Sequence, residues 1–210
     1  MHIKRIVIRS TLTITMSIML NGFFITHTSA ADIGKLTESC NDCHGKDGAS
    51  TEPEIPIIGG YSAQYIIDTI TAFSNKERPC RKTEYPTGSN KGQQSDMCTI
   101  AKKLSAEETK EIAEFYASKK FIPARQEFDP EKAKLGKKVQ KKCKKCHTDG
   151  GSEPLDDAGI LAGQWSPYLR QQLKDYSSGE RPMTEKMQKK YEKIDETDIE
   201  NLIHYFASFQ

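Results

Sequence analysis

Cys40-Asn41-Asp42-Cys43-His44 and Cys143-Lys144-Lys145-Cys146-His147 are two copies of the pattern C-x-x-C-H. At this spacing two thiols can add across the vinyl groups of one porphyrin, and the adjoining histidine becomes the proximal ligand of its iron. A thioredoxin-type C-x-x-C needs no histidine after its second cysteine, and a zinc site would need further Cys or His pairs at ligand spacing. Neither accounts for both copies. The sequence therefore predicts two covalently bound haem c groups, held through Cys40, Cys43 and His44 and through Cys143, Cys146 and His147.

Working outward, the second half lies on the first at a constant offset of 103 residues. Ile57-Ile58 falls on Ile160-Leu161, Gly60 on Gly163, Tyr65 on Tyr168, and Glu77-Arg78-Pro79 on Glu180-Arg181-Pro182. After Pro79 the offset drops to 90, placing Met97 on Met187, Ser105 on Asp195 and Ala117-Ser118 on Ala207-Ser208. Two homologous domains explain this, with thirteen extra residues in the first between Cys80 and Asp96.

The change of offset selects the sixth iron ligands. Electron-transfer haems commonly pair His with Met or with a second His. His2 and His27 fall in a leader segment, and His204 sits in the helical pattern Ile199, Leu202, Ile203, Phe206 as a surface or packing residue. Methionine is left. Met97 is the single methionine of the first domain, and Met187 shares its distance to the following helix, whereas Met183 is the equivalent of Cys80. Metal ligation is accordingly expected from His44 and Met97 and from His147 and Met187, with Met183 in packing. A thioether is a soft donor that raises the reduction potential relative to bis-histidine ligation, and a filled sixth position suits electron transfer better than peroxide or oxygen chemistry.

Helical periodicity predicts segments at Ile33 to Cys40, Ala63 to Phe73, Ala106 to Ser118, Asp129 to Cys143, Ser166 to Tyr176 and Glu196 to Phe209, while strand alternation is hardly visible. Ser105 with Glu108 three residues on reads as a capping box, and Asp195 as an N-cap. The fold class expected is all-α, and the order of helices and motifs resembles two tandem class I cytochrome c domains, each wrapping one haem, at 31–122 and 131–210 with a linker at 123–130. The prolines and aromatics of Phe121 to Pro130 suggest a chain packed over the interface rather than a loose tether.

Residues 1–30 read as a secretory signal: Lys4, Arg5 and Arg9 precede a mostly apolar stretch from Ile14 to Ile25, and cleavage is expected near Ala30 or Ala31. The apolar stretch is broken by Thr and Asn and is too short for a span, so periplasmic export without stable membrane insertion is expected. Its removal takes three bases and no acids from a formal charge of +2, leaving −1, and no global basic field points to nucleic acid.

Two features distinguish the copies. Cys80 and Cys98 flank the insertion and are not needed for haem attachment; in an exported protein they most simply form a disulfide, the alternative being ligation by Cys98 or a reactive pair. Lys132, Lys134, Lys137, Lys138, Lys141, Lys142, Lys144 and Lys145 crowd one helix and its haem motif, either as a solvated face or as a docking patch for an acidic redox partner.

At Ile160-Leu161-Ala162-Gly163-Gln164-Trp165-Ser166-Pro167-Tyr168-Leu169, followed by Gly179-Glu180-Arg181-Pro182-Met183 and Met187, the chain resembles the dihaem cytochrome subunit of flavocytochrome c sulfide dehydrogenase. The wider cytochrome c4 family shares the two-domain plan and Leu161 to Gln164. The resemblance implies a heterodimer in which a separate FAD flavoprotein oxidises sulfide and this chain accepts its electrons, the first haem facing the flavin and the second a soluble carrier. Catalysis would then belong to the complex, and the chain itself has no Gly-x-Gly-x-x-Gly for FAD. The cysteine-bracketed insertion departs from the pattern near the expected flavoprotein contact. The competing expectation is a free-standing cytochrome c4-like carrier serving a terminal oxidase.

Overall fold

The computed structural model describes residues 32–210; the predicted signal segment lies outside the described residues. Eight α-helices are formed there: α1 Ile33–His44, α2 Ala63–Ser74, α3 Met97–Ala101, α4 Ala106–Ala117, α5 Pro130–Gln140, α6 Ser166–Ser178, α7 Glu185–Tyr191 and α8 Glu196–Ala207. Among the described residues, no helix is long and apolar enough to cross a membrane.

Local signals explain most helix starts. Ser105 accepts from the Glu108 amide at 3.2 Å and Glu108 accepts from the Ser105 amide at 2.8 Å, a complete capping box at the head of α4. Asp195 accepts from the Asp198 amide at α8, Ser62 from Tyr65 at α2, and Asp129 from Glu131 and Lys132 at α5, where Pro130 opens the helix. The structure adds what the pattern did not show. α1 runs through the whole first C-x-x-C-H, and the short helices α3 and α7 begin at Met97 and just before Met187.

The repeat is visible in the backbone. Gly48 O accepts from Ile58 N and Gly59 N at 2.9 and 3.2 Å; Gly151 O accepts from Leu161 N and Ala162 N at 2.8 and 3.1 Å. Gly60 N donates to Tyr116 O and Gly163 N to Phe206 O, pairs related by 103 on one side and by 90 on the other. Both offsets therefore hold in three dimensions.

In the first half α1, α2 and α4 enclose Ile66, Ile70, Ile112 and Tyr116, and Ile160 of the second half joins the same cluster. In the second half Val139, Leu169, Leu202, Ile203 and Phe206 form the core where α5 lies along α8. That crossing depends on Gly136: a Cβ there would stand 2.0 Å from Asn201 O and 2.7 Å from Tyr205 Cβ, so only a glycine lets the helices come this close.

The halves meet through buried polar contacts at equivalent positions. Gln164, fully buried, accepts from Ile57 N at 3.0 Å and donates to Ile57 O at 2.9 Å and to Tyr61 Oη at 2.8 Å. Tyr61 Oη donates to Ile160 O at 3.3 Å. Arg78 and its equivalent Arg181 both donate to Gln172 Oε1 at 2.8 Å, each with its guanidinium over an aromatic ring at its own helix end, Phe73 and Tyr176. The linker is held as well: Ala124 N donates to Gly163 O, Gln126 bonds to Gln164 O and Ser166 N, and Asp129 N donates to His204 Nδ1. His204 is thus an anchor for the linker, its other nitrogen against Glu200.

The insertion folds into a small hairpin rather than an irregular loop. Two-residue strands, β1 Thr83–Glu84 and β2 Gln94–Ser95, pair antiparallel above a Cys80–Cys98 disulfide whose Cα atoms are 5.5 Å apart. Arg81, beside the disulfide, makes a bidentate bond to the buried carboxylate of Asp175 in the second half at 3.1 and 2.7 Å.

Candidate haem sites

Because α1 continues to His44, Cys40 and Cys43 lie one turn apart on it with the histidine beside them. The three residues share one cavity of about 410 Å³, and Met97 lines the same cavity from the head of α3. Apolar walls come from Ile55, Ile66, Ile70 and Ile112, and Tyr168, Gln171, Gln172 and Asp175 of the second half complete the lining.

His44 Nδ1 lies 2.9 Å from Pro56 O. A carbonyl only accepts, so Nδ1 carries the proton and Nε2 keeps the free lone pair a metal requires. Burial holds the imidazole below the ordinary histidine pKa, keeping it neutral, although the Pro56 bond works the other way. Burial also pushes the Cys40 thiol up, and takes Cys43 to about 11 with Asp42 and Cys40 adding to the shift. The Met97 segment is fixed from both sides, by the Asp96 cap on Thr99 and by the disulfide at Cys98.

The electrostatics of the cavity also match a haem. Arg78 lines it, and its buried Nε has no hydrogen-bond partner, a donor fitted to an anionic group such as a propionate. Burial works against ionisation of the neighbouring Tyr65 phenol, but the Arg181 and Arg78 guanidiniums outweigh it and hold Tyr65 below the ordinary tyrosine value. Tyr61, under burial, is pushed well up and stays a neutral hydroxyl.

The second set is arranged differently. α5 stops at Gln140, three residues short of the predicted end, and 141–146 is a run of turns in which Cys146 N and His147 N both donate to Cys143 O at 3.2 and 3.1 Å. Lysines at 137, 138, 141, 142, 144 and 145 suit a helix C-terminus, but carried further as helix they would stack like charges three and four residues apart. His147 and Cys143 are half-buried, and Cys146 is exposed. Burial holds the His147 imidazole down, and its buried Nδ1 lacks the carbonyl partner that His44 has. Burial raises the Cys143 thiol while Lys142 and Lys190 pull it back. Met187 stands half-buried in the first turn of α7, where Thr184 caps its amide at 3.3 Å. The orphaned Nδ1 and the half-buried histidine fit a proximal ligand.

Paired helical units, each with a C-x-x-C-H on or after its first helix and a methionine at the head of a short third one, define a two-domain c-type cytochrome. The comparisons agree. The chain is 28% identical over 179 residues to cytochrome c4 of Stutzerimonas stutzeri, covering 79% of this chain and 82% of that one. It is 32% identical over 80 residues to cytochrome c-554(548) of Halomonas halodenitrificans, covering 38% of this chain and 83% of the relative. The crystal structure of reduced recombinant cytochrome c4 from Pseudomonas stutzeri superposes with a TM-score of 0.68 at 26% identity, covering 85% of this chain and 96% of that chain. No protein-family model matches. The chain belongs to the c-type cytochromes and is a cytochrome c4-like electron-transfer cytochrome with two haem c groups.

Proposed function

We propose that the chain is an exported, periplasmic electron relay with His44 and Met97 ligating the first iron and His147 and Met187 the second, in units at 31–122 and 131–210 joined by 123–130. The observation that carries this is the single cavity walled by Cys40, Cys43, His44 and Met97. Each haem, when bound, supplies an iron that gains or loses one electron. The protein's residues set the conditions for that exchange. Pro56 orients His44 through Nδ1, Met97 offers a soft sulfur that favours the reduced metal, and the isoleucine walls keep water out. Arg78 would hold a propionate carboxylate.

For the donor we propose an FAD flavoprotein that oxidises sulfide, this chain being its cytochrome subunit and a soluble carrier the acceptor. The support is the resemblance over Ile160 to Leu169 and Gly179 to Met187. A second reading, a free-standing carrier that delivers electrons to a terminal oxidase, is favoured by the relatives named cytochrome c4. Purification of the native protein decides between them. A stoichiometric FAD-containing subunit is expected from the first reading; a flavin-free protein with two haems that still takes up electrons overturns it in favour of the second.

A further inference from the structure

The two attachment motifs differ in what stands over them. In the first half the insertion lies across the motif. Thr87 N and Oγ1 donate to Asp42 O at 3.3 and 2.9 Å, and Asn90 Nδ2 donates to Asp42 Oδ2 at 3.2 Å. Between them Gly88, at φ +74°, sits so close that a Cβ would be 1.6 Å from the Asp42 carboxylate. Asp42 is buried, as is Tyr85 at the start of the loop, and the disulfide staples the base. In a helix whose motif faces solvent, Asp42 would be exposed. Here the loop covers it.

Among the described residues the second motif has no such cover, because the corresponding connection is thirteen residues shorter. In place of Asn41 and Asp42 stand Lys144 and Lys145, both exposed, next to exposed Cys146. Lysines reach this surface from two elements. Lys141 just precedes the motif, Lys144 and Lys145 lie within it, and Lys190, from the helix carrying Met187, stands close enough to Cys143 to act on its thiol. Lys142 ties the two together by donating to Lys193 O and to Asp198, each at 3.0 Å. Glu185 pairs with Lys189 and Asp198 with Lys142, but among the described residues Lys141, Lys144, Lys145, Lys186 and Lys190 form no ion pair. The first motif offers the opposite sign, with Glu38 and Asp42 where the second has Lys141 and Lys145.

We infer that the surface around Cys143 and Cys146 is the docking surface for an acidic soluble redox protein, whereas the matching surface around Cys40 and Cys43, covered by the Cys80–Cys98 insertion, does not receive it. This rests on the reading above that both motifs hold haem. It deepens that reading by assigning encounter with an outside protein to one end of the molecule. A cluster of unpaired cations steers an acidic partner by long-range attraction, which salt screens.

The test uses the oxidised holoprotein and fully reduced flavodoxin as an acidic one-electron donor, with haem reduction followed by stopped flow across a range of ionic strength. Lys144→Glu with Lys145→Glu should slow the second-order rate at least tenfold at low salt, with the difference vanishing at high salt, as expected of steered association. Lys102→Glu with Lys103→Glu, on the first half, should change it less than twofold. Lysine acetylation mapped by mass spectrometry, with oxidised flavodoxin present, should show protection at Lys141, Lys144, Lys145 and Lys190 and none at Lys82, Lys91 or Lys102. Equal slowing by the first-half pair, rates that ignore salt, or protection confined to the first half overturns the inference. Haem content and the ferric methionine band, measured on the same samples, separate the two failures. Both intact with no salt dependence removes the docking surface alone, whereas a missing second haem removes the reading beneath it.

Discussion

Replacing Gln164 by Leu tests the interface most directly, because one buried amide serves three groups of the other half. Leucine has nearly the same reach but no polar atoms. The substitution leaves Ile57 N–H without its 3.0 Å acceptor and Ile57 C=O without its 2.9 Å donor, and takes the 2.8 Å donor from Tyr61 Oη. Tyr61 can still donate to Ile160 O, so its loss is partial. Each backbone group orphaned in the interface costs roughly 1–3 kcal/mol, and two of them give about 2–6 kcal/mol. Burying the leucine side chain returns only part of this, since the glutamine stem was already buried. A loss of this size is a large fraction of the roughly 5–15 kcal/mol that holds a typical domain.

The measurement is urea unfolding of the oxidised holoprotein by circular dichroism, for Gln164→Leu, Tyr61→Phe and the double variant. The expected midpoint falls clearly for Gln164→Leu and less for Tyr61→Phe, which forfeits the 3.3 Å bond to Ile160 O and the 2.8 Å bond from Gln164. The double variant should lose less than the sum, because the two side chains share a bond, with a coupling of about 0.5–3 kcal/mol. A loss under ~1 kcal/mol for Gln164→Leu, or strict additivity, would refute the assignment of this amide as the joint between the halves.

Met97→Ala and Met187→Ala should each remove about half of the ferric methionine band and lower the potential of one haem; loss of the second half of the band only on changing Met183 would overturn the choice of Met187. Gly136→Ala drives a Cβ to 2.0 Å from Asn201 O, a backbone atom that cannot yield, and should cost about 1–3 kcal/mol or more by overpacking, read as a lower thermal midpoint of the holoprotein. Glu200 takes hydrogen bonds from Arg170 at 3.2 and 2.7 Å, which hold its carboxyl below the ordinary glutamate value. A depressed pKa gives stability that is present above the ordinary value and is lost as pH falls through the lowered one. Glu200→Gln should therefore be slightly less stable than the parent at neutral pH, by under ~1 kcal/mol at this half-exposed site, with the two curves meeting in acid.

Much of this fold could be read from residues whose effect is local. Ser105 and Glu108 announce α4 because a capping box involves four consecutive positions, and the two offsets of the repeat reappear as Gly60 to Tyr116 and Gly163 to Phe206. The residues named for the first site from motif spacing and the repeat line one cavity. What could not be read depends on distant partners. The extension of α1 through His44, against the early end of α5 at Gln140, turns on whether a motif is packed by an insertion or crowded by lysines. Strands of two residues carry no alternation to detect, so the hairpin at Thr83 to Ser95 was invisible as β structure. Gln164 stood in the sequence as part of a family-like run, but its bond to Ile57, 107 residues away, had no local signal. The nearest hint was that Gln164 and Tyr61 occupy equivalent positions of the repeat.

That equivalence explains why the two halves act as one body. In a strict duplicate the same side chain would reach across the pseudo-symmetry axis in both directions, and two identical groups would compete for one space. Here the positions have diverged in chemistry. Gln164 can both accept and donate, so it satisfies the N–H and the C=O of Ile57 together, while Tyr61 has one proton and spends it on Ile160 O. Arg78 and Arg181 keep the symmetry but share a single acceptor, Gln172, which has no amide counterpart because the equivalent residue is Thr69. The first cavity is then completed by Tyr168, Gln172 and Asp175, side chains it does not own. A first half cut away from the second would open that wall to water and leave Arg81 without the Asp175 carboxylate. The buried bonds made by Gln164, Tyr61 and Arg81 therefore both close the first cavity and join it to the second half.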